Sequence, residues 1–341
     1  MKTDELRVSP GHTVRLADCN PRATSLLKKK SDARDLLASD LTRLSELQDV
    51  FAAARSHALL IVLQGMDSAG KDSAVKHVMS GVNPQGVDVY SFKTPSDEEV
   101  AHDFLWRTSR VLPERGRIGI FNRSHYEEVI VVRVHEELLA RESVTPGPGI
   151  WAERFEDINA FERHLTRNGT LVLKFFLHLS KDEQGKRLLK RLDDPKKNWK
   201  FSESDMRERR YWDDYQRAYE EMLSATSTDA APWYVIPADR KWFVRAAIAN
   251  VVAHQIDRNL HQPRADAGLA PKTIASSICP EKAILRQRFG RVAIPQGGQR
   301  EAKNPQPVEA HHRFEIVQLT RTRYRGCPPF DRRTSLHLRT V

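Results

Sequence analysis

Residues 58–64, Ala-Leu-Leu-Ile-Val-Leu-Gln, run straight into Gly65-Met66-Asp67-Ser68-Ala69-Gly70-Lys71-Asp72-Ser73. The apolar run is short and continuous, which predicts a strand of a parallel sheet buried on both faces. A glycine-bearing loop between such a strand and a following helix is the context of a phosphate-binding loop. Its backbone N–H groups and the helix N-terminus can surround phosphate oxygens. Lys71 can neutralise charge on a transferring phosphoryl group. Gly65, Met66, Ser68, Ala69, Gly70, Asp72 and Ser73 are therefore candidate phosphate-binding residues. Two details depart from the usual pattern. Asp72 stands where Ser or Thr ordinarily follows the lysine, with Ser73 one later. Asp67 puts a carboxylate inside a loop that should attract anions, which makes sense when a divalent cation lies between carboxylate and phosphate.

The rest of the body repeats the strand-then-helix rhythm. Leu36, Leu37, Leu41, Leu44, Leu47 and Phe51 recur at helical spacing over 31–55. Further strands are predicted at 87–92, 117–121, 170–179 and 233–237. Helices are predicted at 96–110, where Ser96 and Glu99 form a capping box, at 151–167, over the charged stretch 181–223 broken at Pro195, and at 239–259. Alternation of this kind predicts an α/β fold with a parallel five-stranded sheet and helices on both faces.

Ligands of open α/β sheets bind at the carboxyl ends of strands. The strand at 117–121 delivers Asn122-Arg123-Ser124-His125-Tyr126-Glu127-Glu128 there. Asn122 replaces the aspartate usual at this position and offers a neutral oxygen or a hydrogen-bond donor. Arg123 can hold a phosphate bidentately, and Glu127 or Glu128 could restore a carboxylate. His125 reads as a packing residue. Lysines and arginines crowd residues 186–210, which suits a basic helical lid over about 186–215 that excludes water. Arg191 and Lys200, flanking its turn, are the candidate ligands.

Charge is unevenly shared. The chain has 341 residues and a net charge of +10. The 81 residues from His261 onward hold 15 Lys and Arg against 6 Asp and Glu, leaving 40 against 39 in the first 260. This tail, 261–341, also holds 8 of the 18 prolines and reads as a basic, poorly ordered appendage or a polyanion-binding one. Residues 1–30 read as an irregular arm and 31–260 as the phosphotransferase domain. Cys19, Cys279 and Cys327 fit no zinc or disulfide pattern and read as free thiols. No stretch is apolar enough for a membrane span and no secretory signal opens the chain, so a cytoplasmic protein is expected.

The motifs together resemble the family-2 polyphosphate kinases. The resemblance is carried by GMDSAGKDS at 65–73, VNPQG at 82–86, FKTPSDEEVAHDFLWR at 92–107, FNRSHYEEVIVVRVH at 121–135, RLDDPKKNWKFSESD at 191–205, RYWDDYQRAYEEML at 210–223 and APWYVIPADRKWFVR at 231–245. It runs from about residue 15 to 260 and leaves the tail out. It implies a thymidylate-kinase-like P-loop fold with a mobile lid, and reversible Mg²⁺-dependent phosphoryl transfer between inorganic polyphosphate and nucleotides. The form Asn-Arg-Ser-His-Tyr-Glu is similar to the subgroup accepting nucleoside mono- and diphosphates, AMP and ADP with guanine nucleotides expected as well. It further implies catalytic roles for Asp67, Lys71, Arg123 and Arg133, and metal ligation by Asp67 with Glu128. Lys29, Lys76 and Lys93 would line a polyphosphate channel, and the assembly would be a homodimer or homotetramer. Neither a membrane nor nucleic acid is an expected partner. Two alternatives remain from the residues alone. One is a P-loop kinase using ATP as donor to a small acceptor. The other is a non-catalytic P-loop regulator binding polyanions through its tail.

Overall fold

The computed structural model describes residues 1–142, 144–145, 147–195 and 202–261. Helix α1 (Lys30–Ala54) comes first and ends where Arg55 turns left-handed at φ 47°. Strand β1 (Ala58–Gln64) leads to α2 (Lys71–Val78), and β2 (Val87–Ser91) to the short helices α3 (Asp97–Val100) and α4 (Trp106–Ser109). Strand β3 (Ile118–Asn122) is followed by a 3₁₀ turn at His125–Val129, by α5 (Val131–Val134) and by α6 (Ile150–Arg167). Strand β4 (Thr170–His178) precedes α7 (Lys181–Asp193), α8 (Glu203–Glu208) and α9 (Trp212–Thr226), and β5 (Trp233–Pro237) precedes α10 (Lys241–His261).

The five strands form one parallel sheet in the order β2-β3-β1-β4-β5. Every residue of β1 is buried, as its uninterrupted apolar sequence requires. Its side chains alternate between two cores. Leu59, Ile61 and Leu63 pack with Leu44, Leu47 and Phe51 of α1, Val78 of α2, and Phe243, Ile248 and Val252 of α10. Leu60 and Val62 face Phe155 and Ile158 of α6 and Trp212, Tyr219 and Met222 of α9. Two faces covered by helices is the arrangement that strand-helix alternation demands.

Three sequence expectations change. The helix expected over 96–110 is two short ones. The capping box on Ser96 and Glu99 forms, but Asp103 accepts a hydrogen bond from the Leu105 amide at 2.9 Å and turns the chain between them. The charged stretch is α7, α8 and α9 rather than two halves, with 196–201 outside the described residues. The arm is irregular but tied down. Val8, Val14 and Leu16 are buried in the second core, and the Val8 amide donates to the Trp233 carbonyl at 2.9 Å. The tail from 262 also lies outside the described residues. No described helix is long and apolar enough to cross a membrane.

Candidate active site

Register places the phosphate loop beside the β3 motif. Leu63 pairs with Asn122, and the Arg123 amide donates to the Leu63 carbonyl at 3.0 Å. The chain leaves β1 through Gly65, at φ +145°, where a Cβ would sit 2.8 Å from the Leu177 carbonyl oxygen. Only glycine fits so close to the neighbouring strand. Gly70, at φ +110°, then caps α2. Ser68 and Arg123 also take positive φ, 67° and 64°. Non-glycine residues rarely do so, and those that do cluster at functional sites.

Lys71 opens α2 and is buried. Its Nζ donates to the Gly65 carbonyl at 2.6 Å and lies 3.4 Å from that of Met66. Burial lowers its pKa, as does Arg123, while Asp67 works in the opposite direction. Arg123 spans two carboxylates. One guanidinium nitrogen meets Asp67 Oδ1 at 2.5 Å and another meets Glu127 Oε2 at 3.2 Å. Glu127 above all raises its pKa, against the effect of burial. Asn122 acts as the donor here, giving Nδ2–H to Asp72 Oδ1 at 2.6 Å. Of these groups, Asp67, Arg123 and Glu127 open onto a cleft that Gly65, Asp205 and Tyr219 also line.

Helices α7, α8 and α9 supply the opposite wall, through Gln184, Asp205, Glu208, Tyr215 and Tyr219. Asp205 of α8 pairs with Arg191 at 3.0 Å. Its pKa is raised by burial and then by Asp67. Sequence reasoning did not single out Asp205, Glu208 or Tyr219, which line the cleft together with Tyr215, a residue that reads as packing from the sequence. Gln184 and Arg187 were also missed as individuals. Gln184 Nε2 donates to the Asp67 carbonyl at 3.1 Å, and Arg187 donates to those of Ser68 and Ala69, each at 3.0 Å. Arg187 was visible only as one of many lid cations, although Glu183 four residues earlier marks its helical partner.

Other expected residues are not brought together. Glu128 is not in the cleft. It is buried against Arg154 at 2.8 Å, and burial and the nearby Glu142 push its pKa up to about 7. Glu127, not Glu128, is the carboxylate that joins Arg123 and Asp67. Arg133 also misses the cleft. Val131 lines it, and two helical positions on, Arg133 faces elsewhere. Arg133 pairs with Glu221 of α9 and lies over the Trp151 ring, 5.5 Å from its centre. Lys29, Lys76 and Lys93 are exposed on three separate segments, outside the cleft lining. Lys200 lies outside the described residues. Ser73 Oγ accepts a hydrogen bond from Arg245 at 3.0 Å. His125 is fully buried beside Phe161 and Glu162, as a packing residue would be.

A polyphosphate kinase 2 family model matches residues 27–264. The chain belongs to the polyphosphate kinase 2 family. It is 50% identical over 261 residues to an ADP-polyphosphate phosphotransferase of Rhodopseudomonas palustris, covering 75% of this chain and 90% of that one. It is 44% identical over 252 residues to an AMP/ADP-polyphosphate phosphotransferase of Meiothermus ruber, covering 74% and 91%. The crystal structure of polyphosphate kinase 2 from Arthrobacter aurescens superposes with a TM-score of 0.71 at 40% identity, covering 83% of this chain and 96% of that one. Membership makes the chain a kinase-type phosphotransferase with a P-loop kinase-like fold.

Proposed function

We propose that the protein transfers the terminal phosphoryl group of inorganic polyphosphate to nucleoside mono- and diphosphates, AMP and ADP foremost. The observation that carries this is the placing of Arg123, just past β3, on a cleft whose wall bears Asp67 and Glu127, with Lys71 at the start of α2 held against the phosphate loop at the Gly65 carbonyl. Two cations beside one phosphate loop suit a reaction in which two polyanions must be brought end to end. The names of the relatives support the donor and the acceptor class.

Catalysis on this reading is alignment and charge neutralisation. The loop amides and Lys71 hold the donor's terminal phosphate. Arg123, fixed by its two carboxylates, faces the oxygens on which charge develops. The acceptor's phosphate is already ionised near neutral pH, so no strong base is needed. The lid excludes water that would hydrolyse the donor.

The site fits Mg²⁺. Among the described residues no three metal-ligating side chains gather by themselves. Mg²⁺, however, commonly takes one or two carboxylates, with phosphate oxygens and water completing the set. Asp67 and Glu127 would hold it. When bound, the ion neutralises phosphate charge and offsets the carboxylate inside the loop. Nucleotide as substrate implies a cytoplasmic setting.

The test is ATP formation by the purified full-length protein with Mg²⁺ and polyphosphate, with ADP and AMP supplied separately. Product from both, lost when polyphosphate is omitted, is the expected result. Product from ADP alone overturns the monophosphate acceptor. Product from neither overturns the reading.

A further inference from the structure

Arg187 belongs to the basic stretch that a sequence reading assigns to substrate phosphates, yet its donors are committed to its own chain. Nε donates to Glu183 at 2.9 Å. One terminal nitrogen donates to the Ser68 and Ala69 carbonyls, each at 3.0 Å. The other donates to the carbonyls of Ala238 and Asp239, at 2.7 and 3.1 Å. These contacts use all five N–H groups of a guanidinium. The side chain is buried, at 8% exposure.

Gln184, one turn earlier on the same face of α7, holds the carbonyl of Asp67. Three consecutive carbonyls of the phosphate loop, those of residues 67, 68 and 69, thus point at α7. In a trans peptide the C=O and N–H lie on opposite sides. The amides of Ser68, Ala69 and Gly70 are therefore turned away from α7. That of Ala69 closes a turn on the Met66 carbonyl at 3.0 Å. Arg209, just past α8, donates to Gln184 Oε1 at 2.9 Å and so links the far side of the lid to the same grip.

We infer that Arg187 is a positioning residue for phosphoryl transfer. It sets the peptide planes of the phosphate loop by gripping their outward carbonyls and tying them to the turn between β5 and α10, and it does not itself meet a phosphate. The role in transfer rests on the function proposed above, whereas the grip on the loop does not. Lysine at this position keeps the charge but has one donor centre, which cannot bridge two pairs of carbonyls on separate loops.

The test is Arg187→Lys in the full-length protein, read by amide hydrogen exchange and by kinetics. Exchange in peptides covering 65–74 is expected to rise at least ~10-fold while peptides covering 170–178 stay unchanged, a local opening rather than a global one. kcat is expected to fall at least ~10-fold, towards the ~100-fold that a misplacement of about 1 Å can cause, with the nucleotide KM essentially unchanged. Leu139→Ala, which weakens a small separate core shared with Val132 and Ile150 and no loop residue, is expected to leave both loop exchange and kcat unaltered. Unchanged loop exchange in Arg187→Lys overturns the proposal. So does a loss confined to the polyphosphate KM, which would make Arg187 a substrate ligand. Should Arg187→Lys fail to fold, Glu183→Ala removes only the Nε partner. A few-fold rise in loop exchange in that variant supports the proposal and no rise overturns it. A wild type that turns over no polyphosphate sinks the proposed function, and the exchange comparison still decides the grip.

Discussion

Asn122→Asp is the most informative single substitution, because it installs the aspartate usual at this position opposite a partner that the usual pattern lacks. In the structure Asn122 donates its amide to Asp72 Oδ1 at 2.6 Å. A carboxylate at position 122 would face another across that distance with no proton between them. Two unit charges ~4 Å apart repel by ~4 kcal/mol at an effective dielectric of ~20. Asp72 is exposed, so solvent reduces this to roughly 1–1.5 kcal/mol, or about one pKa unit. The new carboxyl is expected to have a folded-state pKa raised above its unfolded value of about 3.9. The native state then binds more protons than the unfolded state. Stability is retained below about pH 4 and lost as pH rises through the raised pKa, to a plateau deficit of ~1–1.5 kcal/mol above about pH 6. Thermal unfolding of wild type and variant from pH 4 to 8, in chelator to keep divalent cations out, measures it. Asp72→Asn added to Asn122→Asp should remove most of the deficit. A deficit equal at every pH, or one that the second change leaves intact, would refute the reasoning.

Other expectations follow from the same geometry. Lys71→Ala and Asp67→Ala should each lower turnover at least ~100-fold, checked by steady-state ATP formation, and near-normal rates would sink their roles. Gly65→Ala forces a Cβ to 2.8 Å from the Leu177 carbonyl at φ +145°. It should destabilise by ~2–4 kcal/mol, visible as a lowered denaturant midpoint. Lys174 of β4 is fully buried and holds Glu162 at 2.5 Å, the Tyr126 hydroxyl at 2.8 Å and the Thr226 carbonyl at 2.7 Å. Lys174→Met should cost ~3–5 kcal/mol by stranding Glu162, and adding Glu162→Leu should recover part of it, a comparison made by chemical denaturation. Burial, and then the neighbouring Glu142, push the Glu128 carboxyl up from its ordinary 4.5 to about 7. Wild type should therefore lose stability as pH rises through that window, and Glu128→Gln should flatten the slope, measured by melting temperature against pH.

The sheet was legible because four of its strands, β1, β3, β4 and β5, are short, largely apolar and buried runs, while β2 alternates Val87 and Val89 with polar neighbours. β5 is found at the expected residues 233–237, and β1 at 58–64. Helix ends set by local side-chain bonds were harder, as at Asp103, where one Asx turn divides an expected helix. At the site, spacing along the chain placed Lys71, Asp67 and Arg123, since strand register alone brings those loops together. It could not choose between Glu127 and Glu128, because the 3₁₀ turn, not a pattern in composition, aims one at Arg123 and the other at Arg154. Arg133 was assigned by analogy of motif, and helix phase turns it away. The opposite wall was harder to see because Asp205 and Tyr219 meet the cleft only through the packing of α8 and α9.

The seated arm bears on what the sheet can do with other chains. Residues 7 and 8 occupy the outer side of β5, through the Arg7–Tyr234 bridge and the Val8 amide. Among the described residues this leaves β2 as the open edge, with Val89 48% exposed. A sheet with two bare edges can add neighbours on both sides and grow without limit. One with a single bare edge can be extended once and then terminates. Removing the arm would bare the β5 edge as well, and with it the carbonyl of Trp233 that the Val8 amide now satisfies.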